Sequence, residues 1–259
     1  MIKENGVLYM FYSIIDIIWV VFFLVASIPF MPVIYLLRIS PLYKHGYKMA
    51  HVGATILLGP VRILSGIRLT VIGKENLAKD EGVLYVGNHC SYFDIVLSYC
   101  TFNSCTGYIA KKDLGQIPLL NVWMVLIGCL FLKRDNPRDG MRMVKKAAEN
   151  IQKGNSMVIF PEGTRNKHED EALVQEFHAG SFHIAQKAGC KLVPMAITGT
   201  ADVFEKHLPK VRPGHVIIQY GEPIDTSTLD RAAMKKLPDT VRDIILEMRK
   251  EHMAILKSK

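Results

Sequence analysis

Apolar and polar positions alternate with three different periods along this chain, and each period predicts a different kind of element. Near the amino end, "IIWVVFFLVASIPFMPVIYLL" (17–37) runs without a charge. As one helix it would reach roughly 30 Å, the thickness of a bilayer core. Asp16 stands at its edge, and Pro29 and Pro32 should kink or end the helix. A single pass, a hairpin or in-plane helix, and a cleaved leader ending at "VAS" all fit an apolar run of this kind; Asp16 and the apolar residues beyond the prolines speak against the leader. A second apolar piece, "VGATILLGPVRILSGI" (52–67), is broken by Gly and Pro and predicts a docking helix rather than another span.

From residue 68 the period shortens. "RLTVIG", "GVLYVGN", "YIAKK", "CLFLKR", "SMVIF", "KLVPMAIT" and "HVIIQYG" are short β-branched or aromatic runs bounded by Gly, Pro or polar residues, and they predict strands. Between them lie helical periods. In "NPRDGMRMVKKAAENIQKG" (136–154), Asn136 suits the cap, Pro137 the first turn and Gly154 the stop. Met141, Val144, Ala148 and Ile151 mark its expected apolar face. A last amphipathic helix is expected from Asp239 to Met253, starting after Pro238. The alternation predicts an α/β fold: a mixed, mostly parallel sheet flanked by helices, with an N-terminal apolar membrane-associating segment. The expected division is a membrane-anchoring helical segment over 1–67 and an α/β domain over 68–259.

Composition sharpens this picture. A chain of 259 residues, 49% apolar, can bury a sizeable core, and its net charge of +8 points to an anionic partner. Arg38, Lys44 and Lys48 follow the apolar run, against Lys3 and Glu4 before it, so the body should lie on the cytoplasmic face of the cell membrane. The five cysteines (90, 100, 105, 129, 190) form no CxxC pair and read as reduced, mostly packing thiols. No nucleic-acid module accompanies the basic charge.

In a parallel sheet, chemistry gathers where strands end and loops lead into helices. Polar groups fall at four such ends: His89, Lys111 with Lys112, Arg134, and "PEGTR" (161–165). No GxSxG elbow occurs, and His89, Cys90 and Asp94 have no companion metal-binding cluster. Two readings of "NHCSYFD" (88–94) remain open on the residues alone. Asp94 can orient His89 through Nδ1–H and leave Nε2 free to take a proton. Alternatively, Ser91-x-x-Asp94 is a capping box beside a structural histidine. Arg165 offers a planar fork that matches phosphate, in a turn rich in backbone N–H groups.

"NHCSYFD" and "FPEGTR", in this order, resemble the paired motifs of the glycerolipid acyltransferase family, which includes the 1-acyl-glycerol-3-phosphate acyltransferases. "GCLFLKR" (128–134) and "VPMAI" (193–197) resemble two further blocks of that family, and "AKKDLGQIPLLN" (110–121) its basic stretch after the second strand. The resemblance covers roughly residues 68–225. One departure is "FHAG" (177–180), where relatives often carry Lys or Arg after the phenylalanine, which leaves His178 without an assigned role.

The resemblance implies an acyltransferase with an HX4D motif. It implies His89 as base for the sn-2 hydroxyl of lysophosphatidic acid, with Asp94 steadying its imidazole. Arg165, Arg134 and Lys111 would hold the acceptor phosphate. Glu162, Gly163 and Thr164 would shape that pocket, with Glu162 on a glycerol hydroxyl. The donor would be acyl-CoA or an acyl-carrier protein, the product phosphatidic acid, and no metal or other cofactor is expected. Membrane phospholipids are the expected surroundings. Glycerol 3-phosphate, a lyso-aminolipid or another lysophospholipid stand as alternative acceptors. A non-catalytic phospholipid-binding protein is the alternative of another class.

Overall fold

A computed structural model describes residues 2–79, 81–133, 136–166 and 173–257. Three helices come first: α1 (Ile2–Ala26), α2 (Met31–Ile39) and α3 (Tyr43–Leu64). The uncharged stretch is therefore not one helix. Pro29 lies in the turn after α1, and Pro32 sits in the first turn of α2, where its missing N–H has no helical partner to lose. The helical segment long and apolar enough to cross a bilayer lies nearer the amino end, at Gly6–Ala26; it includes Asp16, and little of it is buried. The second apolar piece belongs to α3 and packs against α1 and α2.

The remainder runs β1 (Arg68–Ile72), β2 (Leu84–Gly87), α4 (Phe93–Tyr99), β3 (Thr106–Lys111), α5 (Leu120–Leu126), β4 (Leu130–Leu132), α6 (Pro137–Gln152), β5 (Ser156–Ile159), α7 (His183–Ala188), β6 (Lys191–Thr198), α8 (Thr200–Val203), β7 (His215–Tyr220), β8 (Ile224–Asp225) and α9 (Arg231–Lys257). The sheet order is β1-β7-β6-β2-β5-β3-β4, with β8 also on β6. Pairing from β6 through β2, β5 and β3 to β4 is parallel; β7 and β8 meet β6 antiparallel. The mixed, mostly parallel sheet expected from the strand–helix alternation is the observed one.

Two-residue periodicity sorts the strand side chains into two cores. Tyr85, Val158 and Val193 face α3 and α4, whereas Leu84, Val86, Met157, Ile159 and Leu192 face α6, α7 and α9. The sheet is thus covered on both sides. Four cysteines have thiols raised by burial, to about 11 at Cys100 and Cys190 and about 12 at Cys105 and Cys129. At those values they pack as thiols and are poor nucleophiles.

Two helix expectations need correction. In α6, Asn136 does cap, its side chain accepting from Arg138 N, but the core face is Met143, Ala147, Ala148 and Ile151. Met141 is 69% exposed and lines a surface groove, so its apolarity serves that groove and not the core. The last helix starts at Arg231, not after Pro238. Asp230 caps it by accepting from Ala233 N at 2.7 Å. Pro238 sits inside the helix and forfeits one helical hydrogen bond, but Leu237 and Pro238 are buried, and their packing outweighs the local break.

Because β2, β3, β4, β5 and β6 run parallel, their carboxyl ends share one edge. Residues following Gly87, Lys111, Leu132, Ile159 and Thr198 therefore converge there.

Candidate active site

The cluster begins with the backbone. Asn88, directly after β2, accepts from Ile197 N at 2.8 Å and donates to Ile197 O at 2.9 Å, which pins the strand end to β6. His89 N donates to Glu162 Oε1 at 2.7 Å, and Asn166 N donates to His89 O at 2.6 Å. The two motif loops, 88–94 and 160–166, are thereby bonded to each other on both sides of His89. Its imidazole stacks on Phe160, with ring centroids 4.4 Å apart and planes 11° from parallel.

His89 Nδ1 lies 2.8 Å from Asp94 Oδ2. The same oxygen accepts from Cys90 N at 2.6 Å and Ser91 N at 2.8 Å, while Thr200 donates its hydroxyl to Asp94 Oδ1 at 2.5 Å. A carboxylate surrounded by donors accepts, so the proton sits on Nδ1 and the Nε2 lone pair is left available. The two sequence readings are therefore compatible. Asp94, in the first turn of α4, reaches back to the loop N–H groups of Cys90 and Ser91 and orients His89 with the same oxygen. Asp94 is fully buried, whereas the His89 side chain keeps 15% exposure. One end of the pair is fixed in the interior and the other can meet a substrate.

Glu162 is turned inward. Its second oxygen accepts from Gln175 N at 3.0 Å, and it is 4% exposed. Burial pushes its carboxyl pKa up, against the pull of those two N–H groups and of the Arg249 charge. Both oxygens are engaged with the main chain, so Glu162 braces the two loops. Gly163 has φ +72°, and a Cβ there would come within 3.2 Å of the His178 ring, which requires glycine at this turn. Thr164 is exposed.

Arg165 is held over the same loop. Its guanidinium carbon lies 4.0 Å from the Tyr92 ring centroid, and Nη1 is 3.0 Å from Glu205 Oε1. Lys111 pairs with Asp113 at 2.6 Å, both well exposed, outside this cluster of contacts. Arg134 lies outside the described residues. The expected site thus assembles around His89, Asp94, Gly163 and Arg165. Sequence reasoning missed Thr200, Phe160 and Glu205. Thr200 lies just outside the quoted "VPMAI" block, and neither it nor Glu205 carried a signal in the sequence.

Next to Phe160 opens a groove of about 800 Å³, lined by Ile109, Leu132, Met141, Val144, Gly163 and His178 among others. Its wall is mostly apolar, and Phe160 separates it from the imidazole. A base with a fixed tautomer, a cationic fork and an apolar channel meet at one sheet edge. They can accept a proton, hold an anion and house an alkyl chain. Among the described residues no group of three or more His, Cys, Asp or Glu side chains could hold a metal ion.

A family model described as Acyltransferase matches residues 68–198. The 1-acyl-sn-glycerol-3-phosphate acyltransferase of Saccharomyces cerevisiae is 30% identical over 192 residues, which cover 74% of this chain and 63% of the yeast protein. The protein of the same name from Borreliella burgdorferi is 31% identical over 184 residues, covering 71% of this chain and 72% of the relative. The chain thus spans a little under two thirds of the yeast relative's length. The crystal structure of the 1-acyl-sn-glycerophosphate acyltransferase from Thermotoga maritima shares the fold, with a TM-score of 0.74 over 96% of this chain and 98% of that one, at 23% identity.

Proposed function

The chain belongs to the acyltransferase family, and from that membership we propose that it transfers a fatty acyl group from an acyl thioester to the sn-2 hydroxyl of 1-acyl-glycerol 3-phosphate, forming phosphatidic acid. The observation that carries the chemistry is the His89–Asp94 hydrogen bond in the loop that also seats Arg165. The acceptor rests on the names of the yeast and Borreliella relatives.

In this reading Nε2 of His89 takes the hydroxyl proton as the oxygen attacks the thioester carbonyl. Asp94 steadies the imidazolium that results. The tetrahedral intermediate then expels the thiolate of coenzyme A or a carrier protein, which leaves with the proton from His89. No acyl-enzyme is formed. Arg165 binds the acceptor phosphate, and Arg134 and Lys111 are the proposed additional cations. The groove beside Phe160 takes the acyl chain. Arg165→Ala should cost about 1.5–3 kcal/mol of acceptor binding, the range of a charged hydrogen bond, or roughly a ten- to hundredfold rise in acceptor KM. The measurement is thioester consumption with lysophosphatidate, set beside glycerol 3-phosphate and other lysophospholipids. An unchanged KM, or a better rate with another acceptor, would displace this reading.

The membrane association we propose is in-plane, with the sheet domain on the cytoplasmic side. Phe11, Ile14, Ile18, Val21, Phe22 and Val25 of α1 are 49–62% exposed. The other side of α1 is tied to the body: Ser13 accepts from Val211 N at 2.7 Å, Asp16 from Ser65 at 2.7 Å, and Trp19 donates to Leu57 O at 2.9 Å. A helix docked along one side and apolar along the other suits the interface of one leaflet. Carbonate-washed membranes should retain the protein, and the double substitution Phe11→Asp with Ile18→Asp should release it. Recovery of the unsubstituted chain in the wash would remove the anchor.

A further inference from the structure

Glu205 lies outside every quoted motif, in the segment after α8, yet its carboxylate reaches the centre of the site. Oε1 accepts two hydrogen bonds at once, from Arg165 Nη1 at 3.0 Å and from Tyr92 N at 2.9 Å. Tyr92 is also the ring on which the guanidinium lies. Three contacts thus close a small circuit: carboxylate to guanidinium, guanidinium to ring, and the ring's own backbone to the carboxylate. A half-exposed ion pair between two mobile side chains contributes little to stability. This one differs, since the Glu205 side chain is 16% exposed and its Oε2 is buried with no hydrogen-bond partner among the described residues. An unpaired buried acceptor is a standing cost to the fold. Stability alone therefore gives no reason for this arrangement, whereas fixing the guanidinium does.

We propose that Glu205 is a positioning residue for acceptor binding: it holds the guanidinium of Arg165 over the Tyr92 ring, with its remaining N–H edge directed to an anionic headgroup. The proposal rests on the reading of Arg165 as the phosphate-binding group. An arginine side chain presents five N–H donors, and Glu205 engages one of its nitrogens; the side chain forms no other hydrogen bond among the described residues. The fork is oriented without being filled. A free arginine would lose its rotamer freedom when the phosphate arrives, and that loss weakens binding; a fork already held in place avoids most of it. Because the circuit runs through Tyr92 N, it also sets the fork relative to the loop that carries His89 and Asp94. Phosphate and hydroxyl of one acceptor are then read by a single rigid unit.

The test measures kcat and KM for lysophosphatidate on the full-length protein, with Glu205→Ala, Glu205→Asp, Glu205→Gln, Arg165→Ala and the double substitution of both residues by Ala. Glu205→Ala should raise acceptor KM about three- to tenfold, the cost of immobilising one long side chain, and move kcat far less. Glu205→Asp keeps the charge but withdraws the oxygen by one methylene, so it should behave like Ala. Glu205→Gln keeps an acceptor oxygen in place and should restore most of the affinity. In the double substitution, KM should equal that of Arg165→Ala, because the positioned group is gone. If KM stays at the parent value in both Ala and Asp variants while Arg165→Ala raises it, the positioning role is wrong and the phosphate role of Arg165 stands. Independent, multiplying effects in the double substitution would likewise overturn it. If Arg165→Ala leaves KM unchanged, the acceptor site itself has been misplaced and both fall. Should Glu205→Ala fail to fold, the Asp and Gln pair decides by the same KM comparison.

Discussion

His89→Ala is expected to lower kcat by roughly 10²–10⁴, the contribution of a positioned general base, while the protein remains folded. The two halves of that expectation come from different atoms. The reaction requires Nε2, which the Asp94 contact at Nδ1 leaves as an acceptor. The fold uses the main chain of His89, whose N–H and C=O are bonded to Glu162 and Asn166 and persist without the ring. Asp94 keeps Cys90 N, Ser91 N and the Thr200 hydroxyl as partners. What the fold loses is the stack on Phe160, on the order of 1 kcal/mol for an aromatic pair, and the hydrogen bond to Asp94, about 1.5–3 kcal/mol for a bond to a charged group. A drop in melting temperature beside an almost complete loss of acyl transfer is the expected combination. A purified variant that is folded and retains a tenth of its activity would remove His89 from the base role.

That separation of fold from chemistry also explains what could be read along the chain. The strands were legible because each is a short run of apolar residues ended by Gly or a polar residue, and burial on both faces demands little else. β6 coincides with "KLVPMAIT" because Gly189 and Gly199, both left-handed, bracket it. The His89–Asp94 pair was legible as alternatives, since a five-residue spacing contains no statement of where the helix begins; the start of α4 at Phe93 decides it. Helix faces were legible only in part. Met141 and Met143 are both apolar and both line the groove, and only the way the helix packs on the sheet buries Met143 while Met141 meets solvent. Pro238 misled, because the rule that proline opens a helix is local and the burial of Leu237 and Pro238 is not. Glu205 and Thr200 were invisible for a different reason. Their partners lie 113 and 106 positions away, and no periodicity links residues brought together by a sheet crossover. Long-range hydrogen bonds to loops leave no trace in a pattern of apolar residues.

Asp94 is where those two levels coincide, and substitutions there should separate them. Asp94→Ala removes the acceptor for Cys90 N and Ser91 N, both in buried residues, together with the partners of Thr200 and His89. Each unpaired buried donor costs about 1–3 kcal/mol, so the sum is a large part of a typical stability of roughly 5–15 kcal/mol. The Ala variant is expected to lose activity and to unfold many degrees earlier. Asp94→Asn should behave differently. Three donors converge on Oδ2 and one hydroxyl on Oδ1, so the amide oxygen takes the Oδ2 position and the NH2 faces Thr200, whose oxygen can accept. Nδ1 of His89 still has an acceptor and its tautomer is kept, but the negative charge that steadies the imidazolium is gone. Replacing a charged hydrogen bond by a neutral one removes the difference between them, about 1–1.5 kcal/mol of the transition-state stabilisation, roughly a five- to tenfold fall in kcat with near-normal melting. Measuring kcat and thermal unfolding on both variants gives the check. If Asn is as unstable as Ala, the amide does not adopt that orientation; if Asn retains full kcat, the charge of Asp94 has no part in the proton transfer assigned to His89.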